Sequence, residues 1–470
     1  MMSDEIDLPS GWSLARLGDV ADATLGKTPR RADYQDNGGY RIVKYRDLKS
    51  GVVDFTETRD GYVANSPTAL KGLRELRVGD VLIGASGHDG STVGRKLAMV
   101  EDLPEPAPVF FVGEIFRIRP RAPESDPRWF LHYFSSEAGY RALQKAVTGG
   151  HLTNGRARQI PMPIAPPDVQ RQISDLLDAV RDRTLAVSKH LNAARVVIER
   201  FRRAVLVGAC AGRLTAGWRD AHPQLGQSAD DLLRELRLQG GKSLDQGSSA
   251  QAVIDLPETW RVVTGAEAFV FVTSGSRGWA KFYSDEGPAF LRVGNLDRHR
   301  LDLDLASIQS VTPPPTAESS RTRVQPGDLL ISITAEVGMV GVVPADLGEG
   351  YVNQHVAIAR PHPQLNPRFL AAFVAAPAYG EAQLDALQRG ATKAGLGLDD
   401  IKALSIPLPP AEEQMEIARG VDQFMSIADA LEFRVYAASR RIDRSSQAVL
   451  AKAFRGEFAF ADGGGIPKEP

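Results

Sequence analysis

A few residues of this 470-residue sequence have types and spacing that could carry chemistry. Gly241-Lys242-Ser243 matches the end of a phosphate-cradling loop, but that pattern needs a glycine where Leu236 stands, with a strand before it and a helix after. The flanks read as linker. Asp302 and Asp304 could act as an acid and base pair. In Leu301-Asp302-Leu303-Asp304-Leu305, however, they alternate with leucines, which predicts a half-buried strand holding its acids in water. The eight histidines never fall at ligand spacing from another His, Cys or suitable acid. His190 sits on a long helical pattern as a solvent-facing residue. The single cysteine, Cys210, excludes an internal disulfide and a thiolate zinc cage, and reads as a small packing residue. Two proline pairs, Ala165-Pro166-Pro167-Asp168 and Leu408-Pro409-Pro410-Ala411, lack the amide and the aromatic residue that amino-methyl transfer places around such prolines. Proline there serves better as a helix start, fixing the entry of the chain. The expectation is a chain with no catalytic residue, metal or cofactor of its own.

Composition narrows the class. With 43% hydrophobic and 24% charged residues the chain is ordinary for a soluble globular protein, and no run approaches the ~18 apolar residues of a membrane span. The acidic start MMSDEIDLPSGW is no secretory signal, so a cytoplasmic location is expected. A net charge of −2 argues against a surface that binds phosphate everywhere. Of the 56 basic residues, 43 are Arg and 13 Lys, and Arg is the residue that can fork onto guanine edges or phosphates.

The elements that must position any site are written twice. Leu8-Pro9-Ser10-Gly11-Trp12 returns as Leu256-Pro257-Glu258-Thr259-Trp260, Asp47-Leu48 as Asn295-Leu296, and Gly79-Asp80-Val81-Leu82-Ile83 as Gly327-Asp328-Leu329-Leu330-Ile331, all at one offset. The register then drifts through loops of unequal length (Arg119-Pro120 with Arg360-Pro361, Pro127-Arg128 with Pro367-Arg368). After the proline pairs it locks again: Gln170 matches Gln414, Ile173 matches Ile417, and Gly212 matches Gly456. This last stretch carries a heptad seam of Val180, Thr184, Val187, Leu191, Ala194, Ile198, Phe201 and Val205. Its counterpart is Phe424, Ala428, Leu431, Val435, Ala438, Ile442, Ser445 and Val449. Two seams of equal length predict two partner helices of about 40 residues, each on the order of 60 Å long. Ahead of each helix, short β-rich runs (77–86, 324–333, 352–359) and helical stretches at 126–146 and 366–387 predict an α+β domain.

The combined motif set is similar to that of the specificity subunits of type I restriction-modification systems. LPSGW and LPETW open the halves, APPDVQRQI and LPPAEEQMEI open the long helices, and AGRLTAGWR and AFRGEF follow them. The match covers about residues 6 to 460, with one departure: the first helix opening is a residue shorter and lacks the paired glutamates of the second. The resemblance implies two tandem pseudo-repeated target-recognition domains separated by two long antiparallel coiled-coil helices. The implied boundaries are 1–167 and 256–410 for the domains, 168–213 and 411–457 for the helices, 214–255 for a linker with one short helix at 229–238, and 458–470 for a disordered tail. It further implies that each half reads half of a split, asymmetric site in double-stranded DNA. The helix pair would set the spacer and dock two modification subunits, joined by two restriction subunits. S-adenosylmethionine, ATP and Mg would then lie on those partners.

Side chains able to meet base edges or phosphates from loops beside the predicted strands are the candidates for contact. In the first half these are Lys27, Thr28, Arg30, Arg31, Lys44, Arg46, Ser86, His88, His151, Asn154 and Arg156. In the second they are Arg277, Lys281, Arg292, Asn295, Asn353, Gln354, His355, Thr392 and Lys393. The rival expectation is a coiled-coil scaffold that does not bind DNA.

Overall fold

The computed structural model describes residues 8–49, 51–87, 90–224, 226–238, 256–388 and 395–458. Gly241-Lys242-Ser243 and the tail beyond 458 lie outside them. The chain forms two compact units, Met1–Leu191 with Ala437–Pro470, and Asn192–Tyr436. The division therefore runs through both long helices rather than beside them.

The first unit is built on a six-stranded sheet. Its strands are β2 (Ala21–Leu25), β4 (Leu48–Lys49), β5 (Gly51–Val53), β6 (Val81–Gly84), β7 (Leu97–Met99) and β9 (Ile115–Pro120), in the order β2-β9-β6-β7-β5-β4. A second sheet includes β3 (Tyr40–Val43) and β8 (Phe110–Phe111), and β1 (Ser13–Arg16) pairs with β10 (Pro161–Ile164). Strand alternation explains why β6 is apolar throughout. Val81 and Ile83 enter a core with Trp129 and Phe130, whereas Leu82 enters a second core with Ile42 and Phe111. Helix α1 (Pro127–Ser135) starts at Asp126, whose carboxylate accepts from the Arg128 N–H, with Pro127 in the first turn. The stretch read as helical at 126–146 is interrupted at Ser136, whose hydroxyl caps α2 (Glu137–Ala146) by accepting from the Gly139 N–H.

Helix α3 (Pro167–Cys210) contributes Ile173 and Leu177 to the first core, and the C-terminal helix adds Ala453 and Phe454. Trp129 stacks edge-on against both Trp12 and Phe454, so the opening LPSGW motif seals the end of the last helix.

The second unit repeats this plan. In the region expected as linker the short helix read at 229–238 is present as α5 (Ala229–Leu238), which buries Leu232 and Leu236 in the core, and it is preceded by a second helix, α4 (Ala216–Ala221), that the sequence did not suggest. Strand β11 (Arg261–Thr264) pairs with β19 (Ser405–Leu408), and the short helix α6 (Gly265–Ala268) follows β11. The main sheet runs β12 (Phe269–Ser274), β18 (Val356–Pro361), β15 (Leu329–Ser332) and β16 (Val340–Val342). A smaller sheet is β14 (Gln309–Val311), β13 (Tyr283–Leu291) and β17 (Gly350–Val352). Leu329 and Ile331 face one core and Leu330 another, as in β6. Helices α7 (Pro367–Ala375) and α8 (Gly380–Leu387) repeat α1 and α2, and α9 (Ala411–Phe454) repeats α3.

Residues 301–305 form no strand. Leu301 and Leu303 are buried from an irregular segment held by the Asn295 amide, which donates to the Asp304 carbonyl. Asp302 is ion-paired to Arg368 at 2.6 Å.

The long helices run antiparallel: Thr184 meets Ser446 at 3.0 Å, and Phe201 meets Phe424 at a ring separation of 6.0 Å. Ile198, Val205 and Ala428 are buried. Val180, Thr184, Leu191, Ala194, Phe201, Phe424, Val435, Ala438, Ile442 and Val449 are half-buried. Val187 and Leu431 are each 42% exposed. Ser445 points outward and Ser446 takes its place, as expected where a 3.6-residue helix drifts ~20° per heptad against a 3.5-residue repeat. Cys210 is wholly buried, which pushes its thiol pKa up, and His190 is exposed.

Candidate nucleic-acid interface

Strand register gathers the sequence candidates. Strand β9 is antiparallel to both β2 and β6, with Phe116 opposite Leu25 and Ile115 opposite Gly84. The last residues of β2 and β6 and the first of β9 therefore share one end of the sheet. Lys27, Thr28, Arg30 and Arg31 follow β2 there, and Ser86 follows β6 and bridges to His151. The Asn154 Oδ1 accepts from the Leu25 N–H at 2.7 Å, fixing the segment that carries the exposed Arg156. Thr28 donates to Glu114 and accepts from the Gly113 N–H, so the two loops are joined. Gly26 makes this possible, since a Cβ there would stand 2.3 Å from the Val112 carbonyl oxygen.

Lys44 and Arg46 follow β3 into the same region. The Lys44 ammonium lies 4.0 Å from the Tyr34 ring centroid, and burial lowers its pKa, aided by Arg46. Burial, with Glu114 and Asp60, pushes the Tyr34 hydroxyl up to about 12. Arg46 lies 3.7 Å from Asp47, and Arg30 pairs with Asp33 at 2.9 Å. Lys27 donates to the Lys71 carbonyl. Among the described residues no carboxylate pairs with Lys27, Arg31 or Arg156, so these cations remain open to an anion. His88 lies outside the described residues.

The second unit makes the equivalent end from different side chains. Ser274 lies opposite Ala357, and Ser332 opposite Val356, so β12 and β15 finish where β18 begins. Gly275 repeats the close approach of Gly26: its Cβ would stand 2.2 Å from the Asn353 and Val352 carbonyl oxygens. Arg277 and Lys281 follow it, both exposed and without a carboxylate partner among the described residues. Asn353, Gln354 and His355 precede β18. One ring nitrogen of His355 meets Thr334 Oγ1 and the other lies 2.9 Å from Gln354 Nε2, so the ring is held from both sides. Arg292 and His355 line one concavity of about 430 Å³. Asn295 is 4% exposed, with its amide engaged by the Arg292 N–H and two carbonyls, so it shapes the loop rather than facing solvent. Thr392 and Lys393 lie outside the described residues.

Sequence reasoning missed Arg321, which reaches this end from the helical turn at residues 317–322. Its guanidinium donates to the Ser274 carbonyl and the Ser276 hydroxyl, each at 2.7 Å. The only signal was an arginine-rich run just before Gly327-Asp328. Among the described residues no group of three or more His, Cys, Asp or Glu could hold a metal ion, and no helix is long and apolar enough to cross a membrane.

Two like halves, each ending its main sheet in a polar cluster made of different residues, define a duplicated recognition protein. The model of the type I restriction modification DNA specificity domain matches residues 9–194 and 290–436, and the chain belongs to that family. Over 459 residues it is 24% identical to the type I restriction enzyme EcoBI specificity subunit of Escherichia coli, covering 96% of this chain and 87% of that one. The EcoKI specificity subunit of Escherichia coli strain K12 is 23% identical over 467 residues, covering 96% and 90%. A solved structure from the type I R-M system has the same fold, with a TM-score of 0.63 at 21% identity over 96% of this chain and 100% of that one.

Proposed function

We propose that this chain is the sequence-reading, non-catalytic subunit of a type I restriction-modification complex. Each half reads one part of an asymmetric, bipartite site in duplex DNA. The helix pair sets the unspecified spacer and docks two modification subunits, and two restriction subunits complete the assembly. On this reading S-adenosylmethionine, ATP and Mg belong to the partners, where adenine N6 is methylated and DNA is cleaved, in the cytoplasm. The observation that carries the reading is the repeated strand-end cluster. One framework presents Lys27, Arg31, His151 and Arg156 in one half, and Arg277, Lys281, Gln354 and His355 in the other. A shared scaffold with unlike donors and acceptors is what two unlike half-sites demand.

Modified-base sequencing of DNA from a methylation-free host decides the matter. Co-expression of this chain with its modification subunit should produce a split, asymmetric adenine-methylated motif that the modification subunit alone does not. If the two proteins copurify and no motif appears, the scaffold reading replaces this one.

A further inference from the structure

The two halves differ at a second place, beside the main sheet. In the first unit a groove of about 520 Å³ lies between β4, β5 and β7 on one side and α1 and α3 on the other. Its polar lining is Lys49, Arg95, Lys96, His132, Ser135 and Arg181, with no carboxylate among the lining residues. Lys49 is paired with Asp54, and Arg181 with Asp178 and Asp182. Arg95 and Lys96 have no carboxylate partner among the described residues. Arg95 lies over the Tyr140 ring at 4.3 Å, and Lys96 lies over Tyr45 at 4.6 Å while donating to the Tyr45 carbonyl.

The internal repeat supplies the control. Leu97 pairs with Ile83 in β7 and β6 as Val340 pairs with Ile331 in β16 and β15, which aligns Lys96 with Met339. Gly94 matches Gly338, since each donates to the last carbonyl of the preceding strand, so Arg95 is an extra residue with no counterpart in the second unit. The same alignment sets Lys49 against Asp297, His132 against Ala372, and Arg181 against Met425. None of the five basic residues has a basic counterpart. The corresponding place in the second unit has only about 20 Å³ of open volume, and Arg298 and Arg203 both turn to Glu381 there. The second place thus keeps arginines but neutralises them with its own Glu381, whereas the first leaves Arg95 and Lys96 without a carboxylate partner among the described residues.

Position identifies the anion. Strand β7 begins at the sheet end where the candidate readers gather, and the Gly84 N–H donates to the Lys96 carbonyl at 2.9 Å. The groove thus continues from the recognition cluster toward α3. We propose that it is a phosphate site, present in the first half alone, that takes the sugar-phosphate backbone of duplex DNA beside the first half-site. This rests on the specificity reading above, and it adds a contact that carries no sequence information.

The test uses the full chain in complex with its modification subunits. Arg95→Gln should weaken binding to cognate and scrambled duplexes by the same factor, about eightfold at 0.1 M salt. It should make the slope of log affinity against log salt shallower by about 0.9, as expected for one lost phosphate contact. Arg298→Gln, in the second unit, should leave that slope unchanged. An unchanged slope for Arg95→Gln overturns the proposal. In parallel, non-specific duplex should protect Lys49 and Lys96, but not Lys402, from an amine-acylating reagent read by mass spectrometry. Protection by inorganic triphosphate but not by duplex would reassign the groove to a free polyphosphate and overturn the backbone assignment. If the unsubstituted complex shows no sequence preference, the specificity reading fails, while the slope and the protection on that same duplex still decide the groove.

Discussion

Two twinned side chains show what single residues do in this fold. Gln170 accepts from the N–H of Asp126 and donates to the Ala165 carbonyl, and Gln414 does the same with Asn366 and Pro409. Each ties the start of a long helix to the start of the domain helix beside it, which is the physical content of the glutamine shared by the two helix openings. Asp80 and Asp328 are likewise twins. Each is buried, takes a fork from Arg119 or Arg360, and accepts the backbone N–H three residues before it. Glu413 has no such twin. It is fully buried and accepts from Thr215, Arg219 and the Trp260 indole, whereas the repeat places Val169 at its counterpart. Of the paired glutamates of the second helix opening, Glu413 thus has a local structural cause. Glu413→Ala strands a guanidinium, an indole and a hydroxyl, and should cost about 3 to 5 kcal/mol in urea denaturation. Exposed Glu412→Ala should stay within about 0.5 kcal/mol.

At the scale of elements, stability follows local burial rather than the seam pattern. Ile198 is 7% exposed and Leu431 is 42% exposed, though both hold seam positions. Ile198→Ala should cost about 2 to 4 kcal/mol and Leu431→Ala less than about 1 kcal/mol, read from denaturation midpoints at constant slope. The start of α6 gives a pH dependence. Burial alone would raise the Glu267 pKa. The Thr264 N–H and hydroxyl and the Arg237 guanidinium donate to its carboxylate, however, and hold the pKa below the ordinary 4.5. A depressed folded pKa means stability that is fully present above about 4.5 and lost as pH falls through the folded value. Glu267→Gln should therefore lower stability by about 1 kcal/mol at pH 7, with the gap from the parent closing as the pH drops below 4. The helices and the paired strands were legible because alternation and heptads are properties of the chain itself. The segment 301–305 was misread because its pattern fits a strand while Asn295, close in sequence but bonded through its side chain, holds it irregular. The helix at 229–238 was legible as a helix, but its membership of a domain core shows only in the burial of Leu232 and Leu236, and the helix at 216–221, with no buried residue, had no apolar pattern to announce it.

For the whole molecule, duplication makes recognition separable. The framework of each half, comprising the buried aspartate, the capped helix and the Gln tie, is repeated and was legible as a repeat, whereas the matching glycines at the strand ends, Gly26 and Gly275, show only in the structure. The side chains that would touch bases were legible only by type, because a base contact depends on where a loop ends and no sequence period reports that. Register supplied what periodicity could not, collecting Lys27, Ser86, His151 and Asn154 at one strand end and Arg277, Asn353 and His355 at the other. Burial and internal hydrogen bonds removed Asn295 from the set. Since each cluster lies within one compact unit, a substitution in one should leave the other's geometry intact. Arg31→Ala and His151→Ala should relax positions in one half of the methylated motif, and Arg277→Ala and Gln354→Ala positions in the other half, at about 1 to 3 kcal/mol for each base reader. The combined variant should show both changes, with additive losses, because the sites share no partner. Modified-base sequencing of each strain reads this directly. A single substitution that degrades both halves of the motif equally would show that the halves are not independent readers, and would place the residue in the framework instead.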